Sequence, residues 1–140
     1  MELQKYLEER GYLYQFSHDE IFKKLDKGGV NFYVGFDPTA DSLHMGNFIG
    51  FMTAVRLMLA GNKYFALVGW ATGMVWDPGG KDAERTFLDE TTLTHNVWAI
   101  KNQFETILAR LSSSTWKKLD FDIVNNLDFY TGVSYLDFLR

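Results

Sequence analysis

Phe32-Tyr33-Val34-Gly35-Phe36-Asp37-Pro38-Thr39-Ala40-Asp41-Ser42-Leu43-His44-Met45-Gly46-Asn47 is the stretch from which the rest of the chain can be read. An apolar run from Val30 to Phe36, rich in Val, Phe and Tyr and too short for a helix, meets an Asp37-Pro38 break. This pattern predicts a strand buried on both faces and therefore parallel to its neighbours. Small residues then lead to His44-Met45-Gly46-Asn47 at the start of an amphipathic helix. Strand, tight loop and helix start in that order make a phosphate site, because unpaired N–H groups and the positive helix end face the loop.

Downstream, Phe48, Phe51, Met52, Val55 and Leu59 fall on one side of a helix expected over 45–60, and Gly61 stops it. Lys63 to Gly69 reads as a second buried strand, which completes a βαβ unit of a doubly wound sheet. The glycine-punctuated stretch Gly69–Gly80 is expected to be a loop at the carboxyl end of that strand, where ligands sit in such sheets. A long helix over Glu90–Leu111, a Ser112-Ser113-Ser114 loop, a third strand over Leu119–Val124 and a helix beginning at Tyr135 follow. Upstream, Leu3, Tyr6 and Leu7 predict a helix ending at Gly11, and Ser17-His18-Asp19-Glu20 has the form of a capping box before a second helix stopped by Gly28-Gly29. The expected fold class is α/β, a Rossmann-like partial parallel sheet with flanking helices. It is read as one domain over 1–140, with N-terminal helices in 1–29 and a βαβ core in 30–140.

The 140 residues amount to about one domain, and 46% apolar content with 16% aromatic residues is enough for a core. No apolar run reaches the ~18 residues of a membrane span, and the opening residues lack the form of a secretory signal, so a cytoplasmic protein without membrane contact is expected. The absence of cysteine removes disulfides, thiolate chemistry and cysteine–zinc sites. A net charge of −4 disfavours a free-standing nucleic-acid binder.

His44 in a first helical turn can hydrogen-bond a phosphate oxygen, Gly46 lets a planar base approach the backbone, and Asn47 can donate a neutral hydrogen bond one turn along. The alternative is a histidine near a helix start with a packing glycine. Asp77 before Pro78 is a carboxylate or a turn residue; Lys81 and Arg85 are ligand cations or a solvated helix face with Asp82 and Glu84. Tyr33 needs a partner for its hydroxyl, in a pocket or in a core. The histidines at 18, 44 and 95 form no sequence-local metal cluster, and no protein-bound metal is expected.

Tyr33 through Asn47 closely resembles the first signature of tyrosyl-tRNA synthetases, class I enzymes of the His-x-Gly-His nucleotidyl transferase type. The likeness continues through Ala66–Gly69, Ala71–Met74, Asp77-Pro78, Gly80–Arg85, Val124–Asp128 and Phe138–Arg140, in family order. It implies a tyrosine–tRNA ligase segment that binds ATP and tyrosine for tyrosyl-adenylate formation. Tyr33, Asp77 and Asn126 match tyrosine-binding positions. Gly35, Asp37, Thr39, His44, Gly46 and Asn47 match the nucleotide site, and His44, Asn47, Lys81 and Arg85 the catalytic set. ATP is then a substrate, with Mg as its counter-ion, and tRNA a partner of a full-length enzyme. In-line attack of a carboxylate on phosphorus needs positioning and charge stabilisation more than a proton-transfer group, which agrees with the residues on offer.

Three departures from the resemblance stand out. Asn47 replaces the second signature histidine and keeps a donor without a charge. Trp70 and Trp76 stand where the family has glycine, so at least one indole is expected to fill part of the tyrosine or ATP site, or to cover exposed surface. The resemblance also implies a longer enzyme, so a truncated segment with a bare sheet face or edge and a tendency to homo-oligomerise is expected. The competing reading is a catalytically silent scaffold that folds and self-associates.

Overall fold

In the computed structural model, residues 2–74 and 89–140 are described. Along them the chain forms α1 (Leu3–Glu9), α2 (Glu20–Lys27), β1 (Asn31–Phe36), α3 (Met45–Leu59), β2 (Lys63–Val68), α4 (Trp70–Met74), α5 (Glu90–Thr115), β3 (Phe121–Asn125), α6 (Leu127–Tyr130) and α7 (Tyr135–Phe138). The three strands pair in parallel in the order β1-β2-β3, with Asn31 opposite Lys63 and Tyr64 opposite Phe121. This is the expected partial parallel sheet with flanking helices.

Strand alternation divides the sheet into two unlike faces. Phe32, Val34, Phe36, Tyr64, Ala66, Val68, Phe121 and Ile123 meet Phe51, Ala54, Val55 and Met58 of α3 and Ile100, Phe104 and Leu108 of α5. Phe104 joins the layers, its ring centroid 5.0 Å from that of Phe36 and 5.6 Å from that of Phe51. Burying each such side chain contributes about 1.5–3 kcal/mol. The residues between, Asn31, Tyr33 and Gly35, are exposed. Burial of β1 on both faces is therefore corrected: α3 and α5 pack on one face, and the described residues leave the other open.

A second cluster, Leu3, Leu7, Phe22 and Leu25, seats α1 and α2 against Val30, Leu57 and Ala60. Asn62 is fully buried at the junction. Its side chain accepts from Val30 N at 3.1 Å and donates to Leu25 O and Leu57 O, each at 3.0 Å.

The expected capping box at Ser17–Glu20 does not form. The helix begins at Glu20, and its N-cap Asp19 sits in the helical region and makes no side-chain cap bond. Nor are the three serines a loop: α5 runs through them to Thr115 and ends at Trp116, whose φ is +56°. Ser113 Oγ donates to Ala109 O, and Ser114 Oγ and Thr115 Oγ1 donate to Leu111 O, so the hydroxyls are satisfied inside the helix. Part of the expected glycine loop is the short α4. Among the described residues no helix is long and apolar enough to cross a membrane.

Candidate functional site

The carboxyl ends of the three strands bring three loops together. The first, 37–44, is held at both ends by α5. Asn96, 4% exposed, donates from Nδ2 to Pro38 O at 3.0 Å, and Gln103 Oε1 accepts from Leu43 N at 2.8 Å. Neither residue stood out in the sequence. The signal was available: both are polar amides on the side of α5 that carries Ile100 and Phe104, and a polar group inside an apolar stripe needs a partner.

His44, with extended backbone (φ −94°, ψ 171°), is the N-cap of α3. Its Nδ1 accepts from Asn47 N at 3.3 Å, and Asn47 Oδ1 accepts from His44 N at 3.0 Å. This reciprocal capping box satisfies two orphan donors of the helix end. It also orients both side chains: a ring accepting at Nδ1 and neutral carries its proton on Nε2, and an amide accepting through Oδ1 keeps Nδ2–H available. His44 is exposed and Asn47 half-buried. Gly46 also makes room for the cap. A Cβ there would lie 2.9 Å from His44 Cε1 and 3.0 Å from Nδ1, so the imidazole itself uses the space. Asp37 and Thr39 are exposed in the same loop, and a Cβ on Gly35 would meet nothing within 4 Å among the described residues.

Gly69 N donates to Phe36 O at 3.0 Å and so brings the second loop beside the first. A Cβ on Gly69 would collide with Thr72 Oγ1 and come within 3.2 Å of Asp37 Oδ1. Asn126, 6% exposed, closes the cluster from β3. Its Oδ1 accepts from Ala71 N at 2.7 Å and its Nδ2 donates to Thr72 Oγ1 at 3.3 Å, so its amide is engaged by α4. Trp70 Nε1 donates to Thr94 Oγ1 on α5 at 3.3 Å. Trp76, Asp77, Lys81 and Arg85 lie outside the described residues.

Across the open sheet face runs a groove of about 510 Å³ lined by Asn31, Phe32, Tyr33, Phe65, Leu67, Val124 and Phe129. Tyr33, 71% exposed, stands in it. Trp70 is not among its lining residues. At the amino ends of the strands on this face, Lys63 Nζ lies 2.9 Å from Asp122 and 3.7 Å from Asp120. The hydrogen bond to Asp122 is the main cause that holds the Lys63 ammonium above its ordinary pKa. Among the described residues no three His, Cys, Asp or Glu side chains converge to hold a metal ion.

Residues 25–140 match the model of the family described as tRNA synthetases class I (W and Y). The tyrosine–tRNA ligase of Ureaplasma urealyticum serovar 10 is 45% identical over 136 residues, covering 97% of this chain and 30% of that protein. That of Streptococcus gordonii is 42% identical over 135 residues, covering 96% and 31%. The fold is similar to a C-terminally truncated mitochondrial tyrosyl-tRNA synthetase from Aspergillus nidulans, with TM-score 0.86 and 26% identity, over 99% of this chain and 41% of that one. The counterpart from Coccidioides posadasii gives TM-score 0.79 at 26% identity, over 98% and 38%. The chain thus spans about 30% of the length of the curated relatives it matches.

Proposed function

The chain belongs to the class I tRNA synthetase family of the tryptophan and tyrosine enzymes, and from that membership we propose that it binds tyrosine and ATP for tyrosyl-adenylate formation, the first step of charging tRNA. The observation that carries the reading is the reciprocal cap of His44 and Asn47, which engages the ring at Nδ1 and the amide at Oδ1 and so leaves the His44 Nε2 and the Asn47 Nδ2 amide group to face a ligand at the helix end nearest the strand termini. Both side chains are oriented by the cap before any ligand arrives, which suits stabilisation of charge developing on phosphate oxygens. Gly35, Asp37, Thr39 and Gly46 shape the nucleotide side. The apolar groove takes the aromatic ring of the amino acid, and Tyr33 stands at its phenol. Asn126 supports that end by fixing α4 rather than by its free amide. Asp77, Lys81 and Arg85 enter the proposal by sequence position alone, as the ammonium partner and the pyrophosphate cations.

In the reaction a carboxylate oxygen of tyrosine forms a bond to the α-phosphorus of ATP. The bond from that phosphorus to the bridging oxygen breaks, and pyrophosphate leaves with the electron pair. No protein base is required, because the attacking carboxylate is already ionised. Magnesium accompanies ATP as the counter-ion of its phosphates. tRNA as acceptor, homo-oligomerisation and a cytoplasmic location belong to the same proposal. Support for self-association comes from the open groove and from Tyr135, Leu136 and Phe138, all more than 70% exposed.

Titration calorimetry tests the binding claim. Saturable binding of tyrosine, weakened by Leu67→Glu in the groove, and of Mg-ATP, weakened by His44→Ala, is expected. A chain that binds neither ligand is a silent scaffold.

A further inference from the structure

We propose that Asn96 and Gln103 are positioning residues for adenylate formation, clamping the two ends of the 37–43 loop to α5 so that His44 meets the triphosphate in one orientation. The inference rests on the adenylate reading of the site and adds residues outside the signature. Asn96 and Gln103 are seven positions apart, two helical turns, and so project from one side of α5 about 10.5 Å apart along its axis. Pro38 and Leu43, their backbone partners, bracket the loop: Asn96 Nδ2 donates to Pro38 O at 3.0 Å, and Gln103 Oε1 accepts from Leu43 N at 2.8 Å. Leu43, the residue held by Gln103, immediately precedes the N-cap His44.

His44 caps only from an extended backbone, and the backbone angle at an N-cap depends on the peptide that enters it. Fixing Leu43 N therefore fixes the ring that accepts from Asn47 N, and with it the proton on Nε2. Ile100, between the two clamps, and Phe104, just past the second, are both at most 1% exposed and anchor α5 in the core, so the loop is referenced to the rigid part of the molecule. Released from Gln103, the loop keeps its sequence and loses its register, and misplacement by about 1 Å can cost on the order of 100-fold in rate.

The test compares wild type, Gln103→Met, which keeps length without the acceptor, and Gln103→Glu, which restores an acceptor oxygen. Two-bond ¹H–¹⁵N correlation spectra read the His44 tautomer, and tyrosine-dependent ATP–pyrophosphate exchange reads the reaction. Wild type and Gln103→Glu should show the Nε2–H tautomer alone. Gln103→Met should show a mixture, and a loss of kcat of about 10- to 100-fold with the KM for tyrosine within about twofold. Asn96→Ala, releasing the other end, should shift the His44 spectrum in the same direction. A Gln103→Met protein with an unchanged His44 spectrum would overturn the proposal, as would a Gln103→Glu protein as impaired as Gln103→Met. If wild type shows no exchange, the adenylate reading fails separately, and the His44 spectra alone decide whether the clamp exists.

Discussion

Tyr64 and Gly46 show how single atoms set the behaviour of this chain. Tyr64 is fully buried, stacked on Phe32 with centroids 5.4 Å apart, and its hydroxyl has no hydrogen-bond partner among the described residues. Deleting that oxygen removes an unsatisfied polar group, so Tyr64→Phe should stabilise the fold by about 1 kcal/mol in urea melts. Burial also pushes the phenol's pKa above its ordinary 10.0. The folded state then holds its proton where the unfolded state has lost it, so the stability contribution is intact below pH 10 and falls as pH rises beyond it. The alkaline loss should be smaller in Tyr64→Phe; identical limbs for the two proteins would contradict it. At Gly46, alanine would ordinarily favour a helix by up to about 1 kcal/mol. Here its Cβ meets the His44 ring at 2.9 Å, so Gly46→Ala should give no gain in melting temperature and a displaced His44 imidazole, read by NMR. The residue types of 44–47 made a helix start legible in the sequence. Their mutual hydrogen bonds were not, because those depend on the extended backbone at His44.

Among the elements, α1, α2, α3, the start of α5 and the three strands emerged close to the bounds that the sequence pattern predicts, whereas the short α4 and α6 were not foreseen. The misreadings have physical causes. β1 looks doubly buried because Phe32, Tyr33, Val34 and Phe36 run without a polar interruption, yet only one of its faces meets helices. Ser112–Ser114 look like a loop by composition, but the hydroxyls of Ser113 and Ser114 bond back to carbonyls of the preceding turn and that of Ser112 accepts from Leu119 N. Asn62 was not singled out, because its three bonds to Leu25, Val30 and Leu57 emerge only when α2, α3 and β1 converge. Asn62→Ala would leave Val30 N unpaired at a fully buried position and strip Leu25 O and Leu57 O of one of their two donors, Gly28 N and Asn62 N remaining, and should cost about 2 kcal/mol or more. A loss under about 1 kcal/mol by chemical denaturation would show that water replaces the amide there.

For the molecule as a whole, the sheet order places the phosphate-type loop, α4 and the groove at one end and one face of a single layer, and the family match accounts for why the signature blocks occur in this order. Sequence patterning gave the layer and the loop. The groove was legible only as the corollary of a bare face, because nothing local marks which alternate residues a helix will cover. That face and the exposed α7 should make the chain associate with rising concentration, and Leu136→Lys with Phe138→Lys should weaken association in sedimentation experiments; monomeric behaviour at all concentrations would contradict this. The central claim, that these loops and this groove activate tyrosine, is tested most directly by tyrosine-dependent exchange of labelled pyrophosphate into ATP by the 140-residue chain. The account predicts exchange that requires tyrosine and falls by about 100-fold or more in His44→Ala. Exchange that is absent, or unchanged when tyrosine is omitted or His44 replaced, would contradict it.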